Sequence, residues 1–152
     1  MAPLHEYFKL SPQALCRAYL SSAQDDLAQD DNHLVTLDGE SFDPGSYFNT
    51  TTYKFVAPIA GFYAVAGQVG FKNIVADKIY KARLKVEGTT TLFGIAHSGL
   101  NAYITPSFAD IIQLAASDEV TLNAVHESGV DTVDLINDPD YTYLSIHLLS
   151  AS

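Results

Sequence analysis

The stretch that decides the fold is Tyr53–Phe71, which reads YKFVAPIAGFYAVAGQVGF and has no charged residue from position 55 onward. A membrane-spanning helix needs about 20 consecutive apolar residues, whereas this run is shorter and contains one proline and three glycines. Its β-branched and aromatic residues around such punctuation predict two strands, which are joined at 57–61. The second strand, Phe62–Phe71, is apolar on both faces, and such a strand has to be covered on both sides.

The composition describes one folded domain with an acidic surface. The 152 residues are 47% hydrophobic and 17% charged, and 18 acids against 8 bases give a net charge of −10. Because nucleic acids and anionic membranes attract clustered lysine and arginine, we expect no nucleic-acid partner and no membrane insertion. Five of the bases do cluster between Lys72 and Lys85, and we interpret them as a solvated strand face in preference to a phosphate site.

The N-terminal residues 1–14 stand apart from the rest of the chain. They contain no basic stretch followed by an apolar core, so we expect no signal peptide and synthesis in the cytoplasm. Four apolar side chains form a short comb that either straps the segment to its own domain or anchors it to a partner: Leu4, Tyr7, Phe8 and Leu10. The single cysteine, Cys16, excludes an internal disulfide and is expected to pack as a small hydrophobic residue.

Two kinds of strand can be distinguished in the remainder. About ten short strands without a convincing helix predict an all-β sandwich or jelly roll. Lys78–Glu87, and less cleanly Val120–His126, alternate between a dry and a wet face, whereas Phe62–Phe71, Ala109–Ala116 and Tyr143–Leu149 are apolar on both faces. If these two-sided strands share one sheet, that sheet presents an apolar outer surface, which monomers seldom leave bare.

Covering that surface favours self-association. Burial of about six to nine side chains gains roughly 10–25 kcal/mol, against an association cost of about 4–15 kcal/mol. We therefore predict a closed homo-oligomer, although these considerations leave both two and three subunits open.

Metal binding and catalysis find little support in the sequence. Four loop carboxylates are weak calcium candidates, but their spacing is not that of an EF-hand, and solvated loop acids are commoner: Asp25, Asp26, Asp30 and Asp31. We expect no other cofactor. The five histidines are scattered and match no catalytic or metal-binding motif, so we predict no enzyme and no catalytic residue; they are His5, His33, His97, His126 and His147.

One motif carries a family resemblance. Phe42-Asp43, Tyr47 and the segment Phe55–Tyr63, which fits F-x-A-P-x-x-G-x-Y, resemble the globular head of the q subunit of the first complement component, a relative of the tumour-necrosis-factor jelly rolls. The closing segment Tyr143–Leu149 is also similar, with Ser145 where the family commonly has glycine.

The resemblance implies that residues 15–152 form a ten-stranded jelly-roll sandwich of two antiparallel sheets. It also implies a homotrimer whose inner sheet lines the three-fold axis, and so favours three subunits over two. The residues assigned to this interface are Phe62, Tyr63, Val65, Val69, Phe108, Ile112, Leu114, Tyr143, Ser145 and His147.

The segment RAYLSSAQDDLAQ (17–29) resembles bacteriophage versions of this head. The leading hypothesis is therefore a virion surface protein of the capsid-decoration or head-fibre type, attached through residues 1–14 to a major capsid or other virion protein. One alternative is a receptor-binding tip that recognises a host-surface glycan through the loops 72–78, 97–103 and 127–140. Another is a cellular bacterial ligand-binding head.

Overall fold

The computed structural model describes residues 14–99 and 102–152, and their regular structure consists of β-strands without a helix. In chain order the strands are β1 (Leu15–Tyr19), β2 (His33–Leu34), β3 (Gly39–Phe42), β4 (Phe48–Asn49), β5 (Lys54–Val56), β6 (Gly61–Gln68), β7 (Phe71–Lys72), β8 (Ile79–Val86), β9 (Thr89–His97), β10 (Tyr103–Ile104), β11 (Ser107–Leu114), β12 (Glu119–His126), β13 (Asp134–Leu135) and β14 (Tyr143–Ala151). None of the described residues lies in a helix that is long and apolar enough to span a membrane.

Two antiparallel sheets form the sandwich. We call the sheet with strand order β11-β6-β14-β1-β3 the inner sheet, and the sheet with order β4-β5-β12-β8-β9, to which β2 adds along β12, the outer sheet. The predicted all-β sandwich of two antiparallel sheets is thus confirmed, and the two-sided strands do share one sheet. The predicted count of ten is not exact, because four two-residue strands are added to the ten of the main ladders: β2, β7, β10 and β13.

The core lies between the facing sides of the two sheets. Alternate residues of each strand point into it: Tyr63 and Val65 of β6 from one sheet, Tyr80 and Leu84 of β8 from the other, all of them buried. Cys16 of β1 is fully buried in the same cluster, as predicted, and its burial raises the pKa of the thiol to about 12.

The segment Phe55–Tyr63 connects the two sheets, because β5 belongs to the outer sheet and β6 to the inner one. The ring of Phe55 meets that of Tyr63 edge to face, with centroids 6.0 Å apart, and the Tyr63 hydroxyl donates a hydrogen bond to the Ile59 carbonyl at 2.8 Å. A Cβ on Gly61 would lie 2.4 Å from the carbonyl oxygen of Ser150 on β14, so only glycine fits there. The predicted pair of strands is confirmed, and its connection crosses from one sheet to the other.

Two short strands, β3 and β4, lie in the segment 38–52, for which the sequence predicts only turns. Both are edge strands, and each contains a residue that is depleted in strands, Gly39 in β3 and Asn49 in β4. Between them Asp43 accepts hydrogen bonds from the backbone amides of Tyr47 (3.0 Å) and Phe48 (2.7 Å) and so fixes the turn.

The outward face of β12 is drier than its sequence suggests. Asn123 and Val125 are 4% and 5% exposed, although they point away from the core residues Leu122 and Ala124. The chain between β1 and β3 pairs with β12 through β2, and the Asn32 side-chain amide donates a hydrogen bond to the Asn123 side-chain oxygen at 3.0 Å. The same chain therefore covers Asn123 on this side of the outer sheet.

Candidate interaction surfaces

The outward face of the inner sheet is the first candidate surface. Ile111 of β11 pairs with Ala64 of β6, and Ala64 pairs on its other side with His147 of β14. The next row across the sheet runs through Ala109, Ala66 and Ser145. The centre of the face is therefore built of small side chains. Three large apolar side chains on it are exposed to an extent of 43%, 58% and 50%, respectively: Phe62, Ile111 and Leu149.

Only part of the residue set assigned to this interface lies on that face. Phe62, Tyr143, Ser145 and His147 point outward. Five others are buried in the sandwich core, so their assignment to the outward face is wrong: Tyr63, Val65, Val69, Ile112 and Leu114. The physical reason is that successive side chains of a strand point to opposite faces, so that Phe62 and Tyr63 cannot share one.

Phe108 is half-buried and packs against the core. Its ring lies over Gly67 of β6, where an added Cβ would come within 2.4 Å of the ring. Two large apolar residues on this face were not predicted from the sequence: Ile111 and Leu149. The apolar alternation of β11 is the signal that could have identified Ile111, since its neighbour Ile112 has to face the other way.

An arginine whose side chain is fixed by contacts within the chain borders the same face. The guanidinium of Arg17 on β1 lies 4.5 Å from the ring centroid of Tyr143. It donates hydrogen bonds to the Pro139 carbonyl at 2.6 Å and to the Ser41 hydroxyl at 3.0 Å. This cation is thus fixed by its own chain at the side of the apolar surface.

The three loops 72–78, 97–103 and 127–140 meet at one end of the sandwich, apart from residues 100 and 101, which lie outside the described residues. They are joined by the small sheet β10-β7-β13, in which β7 pairs with both neighbours. Ser98 links the first two loops, since its hydroxyl donates to the Val75 carbonyl at 2.6 Å and accepts from the Lys78 amide at 3.1 Å. The side chain of Asn73 donates to Asp134 at 2.5 Å.

His126 is buried beneath this loop end. Its ring nitrogens lie 2.8 Å from the Ser128 hydroxyl and 2.9 Å from the Leu27 carbonyl, and the ring stacks on Tyr80 with centroids 6.2 Å apart. Burial lowers the pKa of His126, because the charged imidazolium is poorly solvated there. The ring holds the 21–32 and 127–140 segments together as a neutral hydrogen-bonding group.

The other histidines lie apart from one another. His33 contacts the Ala28 carbonyl, His97 ends β9 in the outer sheet, and His147 is exposed on the inner sheet. His5 and the predicted anchor side chains lie outside the described residues. Within the described part of the chain, no group of three or more histidine, cysteine, aspartate or glutamate residues could hold a metal ion. The four calcium candidates are therefore not part of such a group. The backbone amide of Asp26 donates a hydrogen bond to the carboxylate of Asp134.

The outward face of β8 and β9 in the outer sheet is the second candidate surface. Lys81, Arg83 and Lys85 alternate along β8 and point to solvent, as the sequence predicts. Beside them on β9 are two exposed apolar side chains that were not predicted from the sequence: Phe93 and Ile95, which are 59% and 54% exposed.

The chain is similar in fold to several solved structures. No protein-family model matches the chain, and no curated protein matches it. Among solved structures, the globular domain of zebrafish complement 1qA superposes with a TM-score of 0.68 at 12% identity, over 92% of this chain and 100% of that chain. The chain has the jelly-roll fold of that domain.

Two further solved structures share this jelly-roll fold. Murine APRIL has a TM-score of 0.67 at 16% identity, over 90% of this chain and 99% of that one. Eiger TNF from S. frugiperda has a TM-score of 0.67 at 15% identity, over 93% and 96% of the two chains. The fold implied by the sequence resemblance, a complement-q and tumour-necrosis-factor type of jelly roll, is thereby confirmed.

Proposed function

We propose that this jelly roll is a non-enzymatic binding or structural head that works as a homotrimer. The observation that carries the proposal is the outward face of the inner sheet, on which Phe62, Ile111 and Leu149 are exposed around a centre of small residues. Apolar side chains of this size gain free energy when a second surface covers them. The small side chains at the centre allow another copy to approach closely.

A trimer fits this face better than a dimer. Ile111 lies on β11, which is an edge strand of the inner sheet, whereas Phe62 and Leu149 lie on the neighbouring strands β6 and β14. An edge of one copy can therefore pack on the face of the next, and such a heterologous contact forms a ring when its rotation closes. The resemblance in the sequence, which implies a homotrimer, points in the same direction.

We further propose that the trimer is a bacteriophage virion surface protein, either a capsid decoration or a head fibre. In this proposal residues 1–14 dock on a major capsid or other virion protein, and the jelly roll faces outward. The support is the resemblance of residues 17–29 to phage versions of the head, together with the apolar comb that contains Leu4 and Phe8.

A receptor-binding tip is the second candidate, and one observation favours it. The loops 72–78 and 127–140 converge through the small sheet β10-β7-β13 at a single end of the sandwich, where they could together contact a glycan on a host surface. A ligand-binding head of a bacterial cell would use the same end.

Deletion of residues 1–14 separates these functions. If the chain is a decoration protein, the deletion variant still sediments as a trimer and no longer binds particles. If it is a receptor-binding tip, the variant instead loses adsorption to cells. The matched control is a double substitution of Tyr7 and Phe8 by serine, which removes two apolar side chains and keeps the segment length. A deletion variant that binds both particles and cells as the full chain does would refute the anchoring role.

A further inference from the structure

The outward face of the outer sheet carries a row of cations in an acidic protein. On β8, Lys81, Arg83 and Lys85 occupy alternate positions, which places them about 6.6 Å apart along the strand. Lys81 is paired with Glu127. Among the described residues, Arg83 and Lys85 form no ion pair, although both are half-buried. In a chain of net charge −10, such unpaired cations create a local attraction for an anion.

Apolar side chains lie directly beside these cations. Arg83 pairs across the strands with Phe93, and Lys81 with Ile95. Together with Thr90 they line a shallow cleft of about 320 Å³. A ligand for this cleft therefore needs an anionic group for Arg83 and an apolar face for Phe93. Guanidinium groups bind carboxylates through two parallel hydrogen bonds.

The geometry also limits the class of ligand. An extended peptide that adds a strand binds at a free sheet edge, whereas this cleft lies on the outward face of β8 and β9. Duplex nucleic acid carries one charge per about 1.7 Å, several times denser than a row of cations about 6.6 Å apart. A ligand whose charges are widely spaced on rigid rings with apolar faces matches this row of cations better than duplex nucleic acid does.

We propose that this cleft binds an acidic saccharide, with Arg83 on a uronic acid carboxylate and Phe93 against the apolar face of the sugar ring. Lys85 extends the site to a second carboxylate along the same strand. This inference goes beyond the proposed function and does not depend on trimer formation, because the cleft lies wholly within one chain and on the sheet opposite to the proposed interface.

The test is titration of the full chain with a hexamer of 1,4-linked mannuronic acid, monitored by calorimetry and by NMR. Mannohexaose is the neutral control ligand, and hexaglutamate is the acidic peptide control. We expect the mannuronic acid hexamer to bind, to weaken as salt rises, and to bind more tightly than either control. Arg83→Gln should weaken binding about tenfold or more. Phe93→Ala should weaken it about threefold to tenfold.

Lys54→Gln is the matched control variant, because it removes one positive charge from β5, outside the cleft and outside the loops 72–78, 97–103 and 127–140, and should bind as the unmodified chain does. Undetectable binding of the mannuronic acid hexamer at millimolar concentration would overturn the proposal. If Arg83→Gln bound the mannuronic acid hexamer as tightly as the unmodified chain does, the assigned site would be overturned. If the unmodified chain bound hexaglutamate as tightly as the mannuronic acid hexamer, the ligand class would be overturned. Sedimentation of the same samples distinguishes this inference from the proposed trimer, because a monomer that binds the hexamer refutes only the trimer.

Discussion

The substitution Ile111→Asp tests the proposed trimer most directly. Full burial of an isoleucine side chain gains about 1.5–3 kcal/mol, and 58% of Ile111 is exposed in the single chain. Covering that exposed part therefore contributes about 1–2 kcal/mol per copy, or about 3–5 kcal/mol over three copies. Loss of this contribution alone shifts the monomer–trimer equilibrium by about a hundredfold to several thousandfold. The aspartate also adds a carboxylate that is costly to bury, so we expect complete dissociation at micromolar concentration.

Analytical ultracentrifugation over a range of concentrations measures this equilibrium. Phe93→Asp is the matched control, since Phe93 is 59% exposed but lies on the outer sheet, and its substitution should leave the trimer intact. Circular dichroism should show that both variants remain folded, because each side chain is more exposed than buried. Equal sedimentation of Ile111→Asp and the unmodified chain would refute the assigned interface. A stable monomer of the unmodified chain would refute the trimer itself.

Three further predictions concern the stability of the single chain. Because burial lowers the pKa of His126, the unfolded state binds more protons than the folded state. The free energy of unfolding should therefore fall as pH drops below the usual histidine pKa of about 6.5, and His126→Gln should reduce this dependence in urea titrations. Gly94→Ala should destabilise the fold by about 1–3 kcal/mol, because its Cβ meets the backbone of β11, whereas Gly99→Ala, with open space around it, should leave the melting temperature unchanged. Cys16, whose pKa is raised to about 12, should not react with thiol reagents at pH about 8 until the chain unfolds.

The motif in Phe55–Tyr63 made the fold predictable because each of its residues answers a geometric requirement. Phe55 and Tyr63 fill the core from opposite sheets, and Gly61 admits the backbone of β14. Such requirements restrict the residue type at each position and can therefore be recognised in the sequence. The residues of the edge strand β3 contain no such signal, because the strand forms by pairing with β1, with a register shift between Arg17 and Ala18.

The candidate surfaces were harder to predict than the fold. A strand that is apolar on both faces, such as β6, indicates that both faces are covered but not which residue faces which way. Register decides this, and it depends on the neighbouring strands. On β14 the register shift between Leu148 and Ser150 leaves Leu149 exposed. Phe93 and Ile95 were missed for a different reason, since apolar residues that alternate on a strand are usually taken as core.

If both proposals hold, the trimer and the saccharide site reinforce each other. The inner sheet would be covered by sister copies, while the outer sheets would present three rows of cations to one polymer. Simultaneous binding of linked sites raises overall affinity by about 10²–10⁴ without any new contact. We therefore expect Ile111→Asp to bind a mannuronic acid hexamer as the unmodified chain does and to lose most of its affinity for the long polymer. Equal loss for both ligands would instead mean that the cleft itself depends on the neighbouring copy.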